Sequence, residues 1–197
     1  MHTHYLGDFE YRPIANTVNT TADAKKMLVI SGSLYFKQSN LPVLDFIKRY
    51  YPIIRETLPD WTLKITGRNP SEEIKQACGT DIVLVPNPED MSKEVASGSV
   101  YVCPINLGSG LKLRIMDGLR LGLPVICHKN AIYGYEAIKD AGFLFEYHDE
   151  KTFKDALLAI TSRKFDRQDV YNAYLSAFSI EAGTQRLRNI LNKEHLL

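Results

Sequence analysis

Short apolar runs recur along this sequence. Five of them are too short for a helix and are rich in Val, Ile, Leu and Phe, namely residues 27–31, 82–85, 100–103, 124–127 and 143–145. Runs of this kind predict strands that are buried on both faces of a parallel sheet. Residues 61–66 alternate instead between apolar and polar side chains, which predicts a sixth strand with one less covered face.

Helical periodicity fills the intervals between these strands. The clearest helix is predicted to begin at Asn40, a good N-cap residue, and to kink at Pro52, which cannot donate a hydrogen bond to the carbonyl of Lys48. Further helices are predicted over residues 71–78, 88–97, 111–121, 133–141 and 151–160. This alternation predicts an α/β fold, a Rossmann-like doubly wound parallel sheet of about six strands with right-handed crossovers.

The two ends of the chain do not follow this alternation. Residues 1–24 lack periodicity and are interpreted as an extended lead-in or interdomain linker. Residues 25–165 form the predicted α/β domain, and residues 166–197 carry the apolar spacing of two more helices, a C-terminal helical tail. Leu187, Ile190 and Leu191 mark the apolar side of the last helix.

Charge and composition exclude several classes of protein. The 24 Lys and Arg residues almost balance the 23 Asp and Glu residues, and the formal charge of +1 gives no field that would gather a nucleic acid or a membrane surface. No apolar run approaches the roughly 20 residues of a membrane-spanning helix, and no secretory signal pattern is seen, so we expect a cytoplasmic protein. The three cysteines lack CxxC spacing, so neither a disulfide framework nor a zinc site is predicted, and no cofactor is expected.

One loop has the composition of an anion site. Ligands of doubly wound sheets bind beyond the carboxyl ends of the strands, and the strand at 100–103 is followed by Gly108, Ser109, Gly110, Leu111 and Lys112. We predict that free N–H groups at the start of the next helix, together with the ammonium group of Lys112, bind a phosphate or diphosphate. An ordinary tight strand-to-helix turn is the alternative. The spacing matches neither the P-loop of ATPases nor the glycine motif of NAD-dependent dehydrogenases.

The same segment resembles a family signature. Residues 108–126 read GSGLKLRIMDGLRLGLPVI and resemble the GGGTRLKILEAMAAGLPVV signature of group 1 glycosyltransferases, retaining enzymes with the GT-B fold. Residues 30–34 with Asn40 resemble the first strand and loop of that family's donor domain, residues 65–68 its IVGR segment, and residues 8–13 its interdomain linker. The resemblance covers nearly the whole chain. It implies one half of a GT-B fold, the C-terminal half that binds the nucleotide sugar.

The resemblance implies a role for a carboxylate in the helix after the loop. The family's paired glutamates fall on Ser109 and Asp117, so only the second position keeps an acid. The carboxylate of Asp117 is expected to accept hydrogen bonds from the ribose hydroxyls, and a surface pair with Arg114 or Arg120 is the alternative. Arg114 itself, two residues after Lys112, is expected to point to another side of the helix.

The resemblance also leaves one positive charge to be replaced. The family's phosphate-binding arginine, just after the glycine of the first strand, falls on Ser33, so Lys37 or Arg68 is expected to supply that charge instead. Solvated loop cations without function are the alternative for both. Gly134 aligns with a family segment that shapes the sugar pocket, and His128 is a candidate sugar contact.

The function that the resemblance implies is that of a glycosyltransferase donor domain. It would bind a nucleotide diphosphate sugar, linked to UDP or GDP, for retaining transfer to a glycan or lipid-linked acceptor in polysaccharide biosynthesis. An N-terminal acceptor domain or subunit is the expected partner, and without it we expect no transfer; no catalytic side chain is evident on this chain. Membrane association is expected only peripherally and through that other half. A non-catalytic nucleotide-sugar-binding or interaction module, or a homodimer formed through the last helix, is the alternative.

Overall fold

The strands form one parallel sheet at the centre of the molecule. The computed structural model of the 197-residue chain describes residues 25–108 and 110–193, so the lead-in predicted over residues 1–24 lies outside the described residues. The six strands are β1 (Met27–Ser33), β2 (Thr62–Arg68), β3 (Val83–Pro86), β4 (Val100–Cys103), β5 (Val125–His128) and β6 (Leu144–Tyr147). All neighbouring strands pair in parallel, in the order β3-β2-β1-β4-β5-β6. This confirms the predicted doubly wound α/β sheet and places the reversal of strand order between β1 and β4.

Helices cover both faces of this sheet. In the described part of the chain they are α1 (Lys37–Arg49), α2 (Tyr51–Thr57), α3 (Glu72–Cys78), α4 (Met91–Ala96), α5 (Arg114–Leu119), α6 (Glu136–Asp140), α7 (Glu150–Thr161), α8 (Arg167–Phe178) and α9 (Ile180–Lys193). Helices α1, α2, α3 and α7 bury one hydrophobic cluster, and α4, α5, α6 and α8 bury the other. Because successive residues of a strand face opposite sides, Leu28 and Ile30 of β1 belong to the first cluster and Val29 to the second.

The first helix begins earlier than the sequence predicts. It starts at Lys37, so Asn40 lies inside α1 and does not cap it. The Asn40 side chain instead donates a hydrogen bond from Nδ2 to Ser71 Oγ at 2.8 Å, which joins α1 to the start of α3. The kink predicted at Pro52 is a break at Tyr50 between two helices, because Pro52 lies in the first turn of α2, where its missing N–H costs no helical hydrogen bond.

The helix after β4 is shorter than predicted at both ends, since the sequence predicts it over residues 111–121. At its end, Gly122 adopts a φ of 73°, and the N–H of Leu123 donates to the carbonyl of Gly118 at 3.0 Å, which closes α5. Before its start, Gly110 has a φ of 79°, which lies outside the right-handed helical region. The glycines on both sides therefore limit this helix to six residues.

The last two helices differ in how much they bury. Helix α8 buries Val170, Tyr174 and Phe178 in the cluster that α5 and α6 share. Helix α9 packs on α8, but within α9 only Gly183 is buried, and Leu187 is 43% exposed. The division of the chain at residue 165 stays a prediction.

Candidate functional site

A cleft opens at the point where the strand order reverses. The chain leaves β1 towards α1 on one face of the sheet and leaves β4 towards α5 on the other, so the two loops separate and border a crevice. Ligands of doubly wound sheets bind in this position. The cavity has a volume of about 530 Å³. Its lining includes Ser39, Ile105, Gly108, Leu111, Lys112 and Arg114, and we call it the switch-point cleft.

The glycine loop on the β4 side is fixed from two directions. Gly108 and Gly110 both have a φ of 79°, a conformation that side chains other than glycine rarely adopt. The ammonium group of Lys112 donates to the carbonyl of Gly108 at 2.9 Å. The hydroxyl of Tyr135, a fully buried residue, donates to the carbonyl of Lys112 at 2.9 Å. The positive charge of Lys112 is thereby held at the wall of the cleft, whereas Ser109 lies outside the described residues.

The start of α5 differs from the anion site that the sequence predicts. Lys112 lies two residues before the helix, so the prediction that it belongs to the first helical turn is wrong. The N–H of Ile115 donates to the carbonyl of Lys112, and the N–H of Met116 to that of Leu113, both at 3.0 Å. Because these amides are already used within the chain, the positive character of the cleft comes from its basic side chains and the glycine backbone.

Arg114 crosses the cleft and joins its two sides. Its Nη2 donates to the carbonyl of Ser33 at 2.9 Å and to Oγ of Ser39 at 2.8 Å. Gly32 makes room for it, because a Cβ at Gly32 would lie 2.3 Å from Cζ of Arg114. The other terminal nitrogen, Nη1, is buried and has no hydrogen-bond partner among the described residues.

Sequence reasoning gave Arg114 no role in the site. It does point to another side of α5 than Lys112, as predicted, but that side faces β1 rather than solvent. The contact joins residues 81 positions apart, so no local periodicity reveals it. The available signal was the pairing of a basic residue after the β4 glycines with a glycine at the end of β1, which the strand order brings together.

The two basic residues expected to replace the family's arginine lie outside the lining of the cleft. Ser33 ends β1 and pairs in register with Arg68, the exposed last residue of β2. Lys37 is the exposed first residue of α1 and lines a neighbouring cavity with Tyr35 and Phe36. The structure therefore brings Ser33 to the cleft through its carbonyl and leaves Lys37 and Arg68 at its margin, and their roles stay predictions.

Asp117 lies on α5 in an ion pair. Its Oδ1 lies 3.1 Å from Nη2 of Arg120, and its side chain is 36% exposed. Its charge also acts on the buried β4 side chains, because it adds to the burial that raises the pKa of Tyr101 and of Cys103, the latter to about 11. The surface pair predicted as the alternative is thus present, while the partial exposure leaves the carboxylate accessible to a ligand.

The β5 side contributes two further candidates. Nδ1 of His128 accepts a hydrogen bond from the N–H of Asn130 at 3.2 Å, and burial lowers the pKa of His128, helped by the charge of Lys129. Gly134 has a φ of 86° and its N–H donates to Oε1 of Glu136 at 3.2 Å. This backbone prevents the helix predicted over residues 133–141 from starting before Glu136. Gly134 lines a different cavity, beside α8 and α9, so its role in a sugar pocket stays a prediction.

Other kinds of site find no support in residues 25–108 and 110–193. These residues contain no group of three or more His, Cys, Asp or Glu side chains that could hold a metal ion. No helix within these ranges is both long and apolar enough to span a membrane. The three cysteines are buried and unpaired, and burial raises the pKa of each thiol.

Comparison with known proteins identifies the family. The family model described as "Glycosyl transferases group 1" matches residues 25–163. An uncharacterized glycosyltransferase of Haemophilus influenzae is 27% identical over 114 residues, which cover 53% of this chain and 32% of that protein.

Solved structures of low sequence identity share the fold. The pneumococcal O-GlcNAc transferase GtfA, in complex with UDP and GlcNAc, matches with a TM-score of 0.58 and 18% identity, over 89% of this chain and 37% of GtfA. A trehalose-6-phosphate synthase studied for glycosyl transfer with retention matches with a TM-score of 0.60 and 10% identity, over 93% of this chain and 48% of that protein. The chain thus spans between about a third and a half of these relatives. It belongs to the group 1 glycosyltransferases, with the fold of one domain of a GT-B enzyme.

Proposed function

We propose that this chain is the donor-binding domain of a retaining glycosyltransferase and that it binds a nucleotide diphosphate sugar in the switch-point cleft. The observation that carries the proposal is the glycine loop at the carboxyl end of β4, with the charge of Lys112 fixed beside Gly108 at the cleft wall. The positive φ values of Gly108 and Gly110 let the backbone approach a ligand closely. Family membership makes a sugar nucleotide the natural anion for this position.

The proposed chemistry needs charge stabilisation rather than a protein nucleophile. The bond between the anomeric carbon and the diphosphate oxygen breaks, and negative charge builds on the departing diphosphate. Lys112 is held in place before the reaction by its contact with Gly108 and by the hydrogen bond from Tyr135 to its carbonyl. A cation fixed in advance stabilises developing charge without reorganisation in the transition state.

Asp117 completes the proposed nucleotide contacts. Its carboxylate accepts hydrogen bonds from the ribose hydroxyls while Arg120 holds it in position from the same helix. The relative solved with UDP and GlcNAc makes UDP the first nucleotide to test, with GDP as the second.

The acceptor side of the reaction is proposed to come from another domain or subunit. Transfer requires the acceptor within about 3–3.5 Å of the anomeric carbon, and such positioning contributes ~7–11 kcal/mol to catalysis. We expect the purified 197-residue chain to bind donor and to give only background transfer in a radiolabel assay with acceptor lipids. Robust transfer by this chain alone would place the acceptor site on it or on its homodimer.

A thermal-shift panel of UDP, GDP, ADP and CMP tests donor binding. For a dissociation constant near 100 μM, a nucleotide at about 10 mM adds ~2.7 kcal/mol of apparent stability. For a chain of this size that raises Tm by about 5–10 °C. Lys112→Met should reduce the shift, and Arg163→Met, which removes a guanidinium at the opposite edge of the sheet, should leave it unchanged. No shift with any of the four nucleotides would contradict the proposal.

A further inference from the structure

The loop after β1 lacks the basic residue that the family resemblance places there, because that position is Ser33. Lys37 and Arg68 do not line the switch-point cleft, whereas Arg114 does. Arg114 comes from the opposite side of the cleft and reaches the end of β1, where Nη2 donates to the carbonyl of Ser33 at 2.9 Å. The positive charge at the end of β1 is therefore supplied from α5.

The seat of this guanidinium is built by three neighbouring residues. Gly32, with a φ of 134°, leaves open the space that a Cβ would occupy, 2.3 Å from Cζ of Arg114. The Ser33 carbonyl and the Ser39 hydroxyl both accept from Nη2, and they fix the plane of the guanidinium. Two acceptors on one nitrogen leave the adjacent nitrogen without a share in the seat.

Nη1 is that adjacent nitrogen, and it is buried without a partner in the described part of the chain. A guanidinium carries five N–H donors in a fixed fork, and a buried unpaired donor is unfavourable in a folded protein. Such groups are rare and are found where a ligand or catalytic function uses them. The carboxylate of Asp117 on the same helix pairs with Arg120 instead.

We propose that Arg114 is the diphosphate-binding cation on the β1 side of the switch-point cleft, opposite Lys112, and this inference rests on the proposed donor site. Nη2 keeps its contacts with β1 while the guanidinium turns Nη1 into the cleft, where a phosphate oxygen accepts its hydrogen bond. Arginine suits this role because its planar fork binds phosphate with defined geometry. The competing role is a purely structural strap that ties α5 to β1.

The test compares nucleotides that differ only in phosphate content. NMR titrations measure the dissociation constants of UDP, UMP and uridine, and of GDP, GMP and guanosine, for the full chain and for its Arg114→Met variant. We expect Arg114→Met to weaken diphosphate binding by about 10-fold to 100-fold, the range for a lost charged hydrogen bond. Nucleoside binding should change by less than twofold. Arg163→Met is the matched control, because Arg163 donates to the carbonyl of Gly142, far from the cleft.

Two further variants keep the inference testable if Arg114→Met does not fold. Arg114→Lys retains the charge and loses the fork, so it should weaken diphosphate binding and leave nucleoside binding unchanged. Ser39→Ala removes one acceptor from Nη2 and should have a smaller effect of the same kind. The slope of diphosphate affinity against salt concentration should be shallower in Arg114→Met than in the wild type.

The results that overturn the inference differ from those that overturn the proposed function. If the wild type binds UDP or GDP and Arg114→Met binds it equally well, Arg114 does not contact phosphate. If Arg114→Met weakens nucleoside and diphosphate equally and lowers Tm, Arg114 is only a strap. If the wild type binds no nucleotide, both proposals are wrong.

Discussion

The two edges of the sheet each carry a cavity lined by basic residues, yet they use these charges differently. At the amino-terminal edge, a cavity of about 330 Å³ is lined by Arg163, Lys164 and Arg167. There, Arg167 donates to the carbonyls of Ala96 and Gly98. At the carboxyl-terminal edge, Arg114 donates through one nitrogen and keeps the other unpaired.

The difference teaches that a basic cavity becomes a binding site only where donors remain for a ligand. Arg167 satisfies carbonyls at the end of α4 and thereby docks α8, and burial lowers its pKa. Arg163 lies over the ring of Phe165, with Cζ 4.9 Å from the ring centroid. The charges of the amino-terminal edge therefore stabilise the fold, whereas the carboxyl-terminal edge lies at the reversal of strand order, where ligands bind.

A pair of glycines makes this comparison testable, and Gly122→Ala has the largest expected effect. Gly122 has a φ of 73°, and a Cβ there would lie 2.6 Å from the backbone oxygen of Arg167. Because backbone must move, we expect a loss of about 3 kcal/mol in the free energy of unfolding. Urea denaturation measures this loss, and UDP affinity of the folded protein should change less than twofold. A variant as stable as the wild type would show that this edge is not the rigid one.

Gly32→Ala is the matching change at the other edge. Its Cβ would meet the end of a flexible arginine side chain, so the guanidinium of Arg114 moves instead of the backbone. We expect a stability loss of only ~1–2 kcal/mol, with UDP binding weakened about 10-fold by loss of the charged contact. Isothermal titration checks the second value. Unchanged affinity would mean that the seat of Arg114 is unimportant for the ligand.

Asp117→Asn separates the ribose contact from the ion pair with Arg120. The substitution keeps the shape and removes the charge, so UDP affinity should fall by about 1–2 kcal/mol. The ion pair is partly exposed, and its loss should cost the unliganded protein less than ~1 kcal/mol. Titration calorimetry and thermal unfolding measure the two effects. An equal loss in both would favour the ion pair as the main role.

His128→Asn has the smallest expected effect and appears only as pH dependence. Burial lowers the pKa of His128 below its ordinary value of 6.5, so the folded state disfavours the protonated form. This contribution to stability is complete above pH 6.5 and is lost as pH falls through the lower pKa of the folded state. Asparagine retains an acceptor for the N–H of Asn130 and does not titrate. The wild type should lose more Tm than the variant between pH 7.5 and pH 5, and parallel curves would contradict this.

The sheet was predictable because its strands are continuous apolar runs that only a doubly wound arrangement buries. The glycine loop was also predictable, since Gly108, Gly110 and Lys112 are close in sequence. The helix starts were not, because tertiary contacts decide them: Asn40 binds Ser71 instead of capping α1.

Arg114 was missed for the same physical reason. Its role depends on Ser33, Ser39 and Gly32, which only the pairing of β1 with β4 brings beside α5. Local spacing determined its side of the helix correctly but could not show what that side contacts. Sequence reasoning consequently assigned the charge to Lys37 and Arg68, which are closer to Ser33 in the chain or in the sheet register.

Amide chemical-shift mapping tests the central claim most directly. A ¹⁵N-labelled chain is titrated with UDP and with GDP, and the shifts are followed at both edges of the sheet. The account predicts changes at residues 31–39 and 108–118, around the switch-point cleft, with unchanged signals at residues 97–99 and 161–167. Changes concentrated at residues 97–99 and 161–167, or no change with either nucleotide, would contradict it.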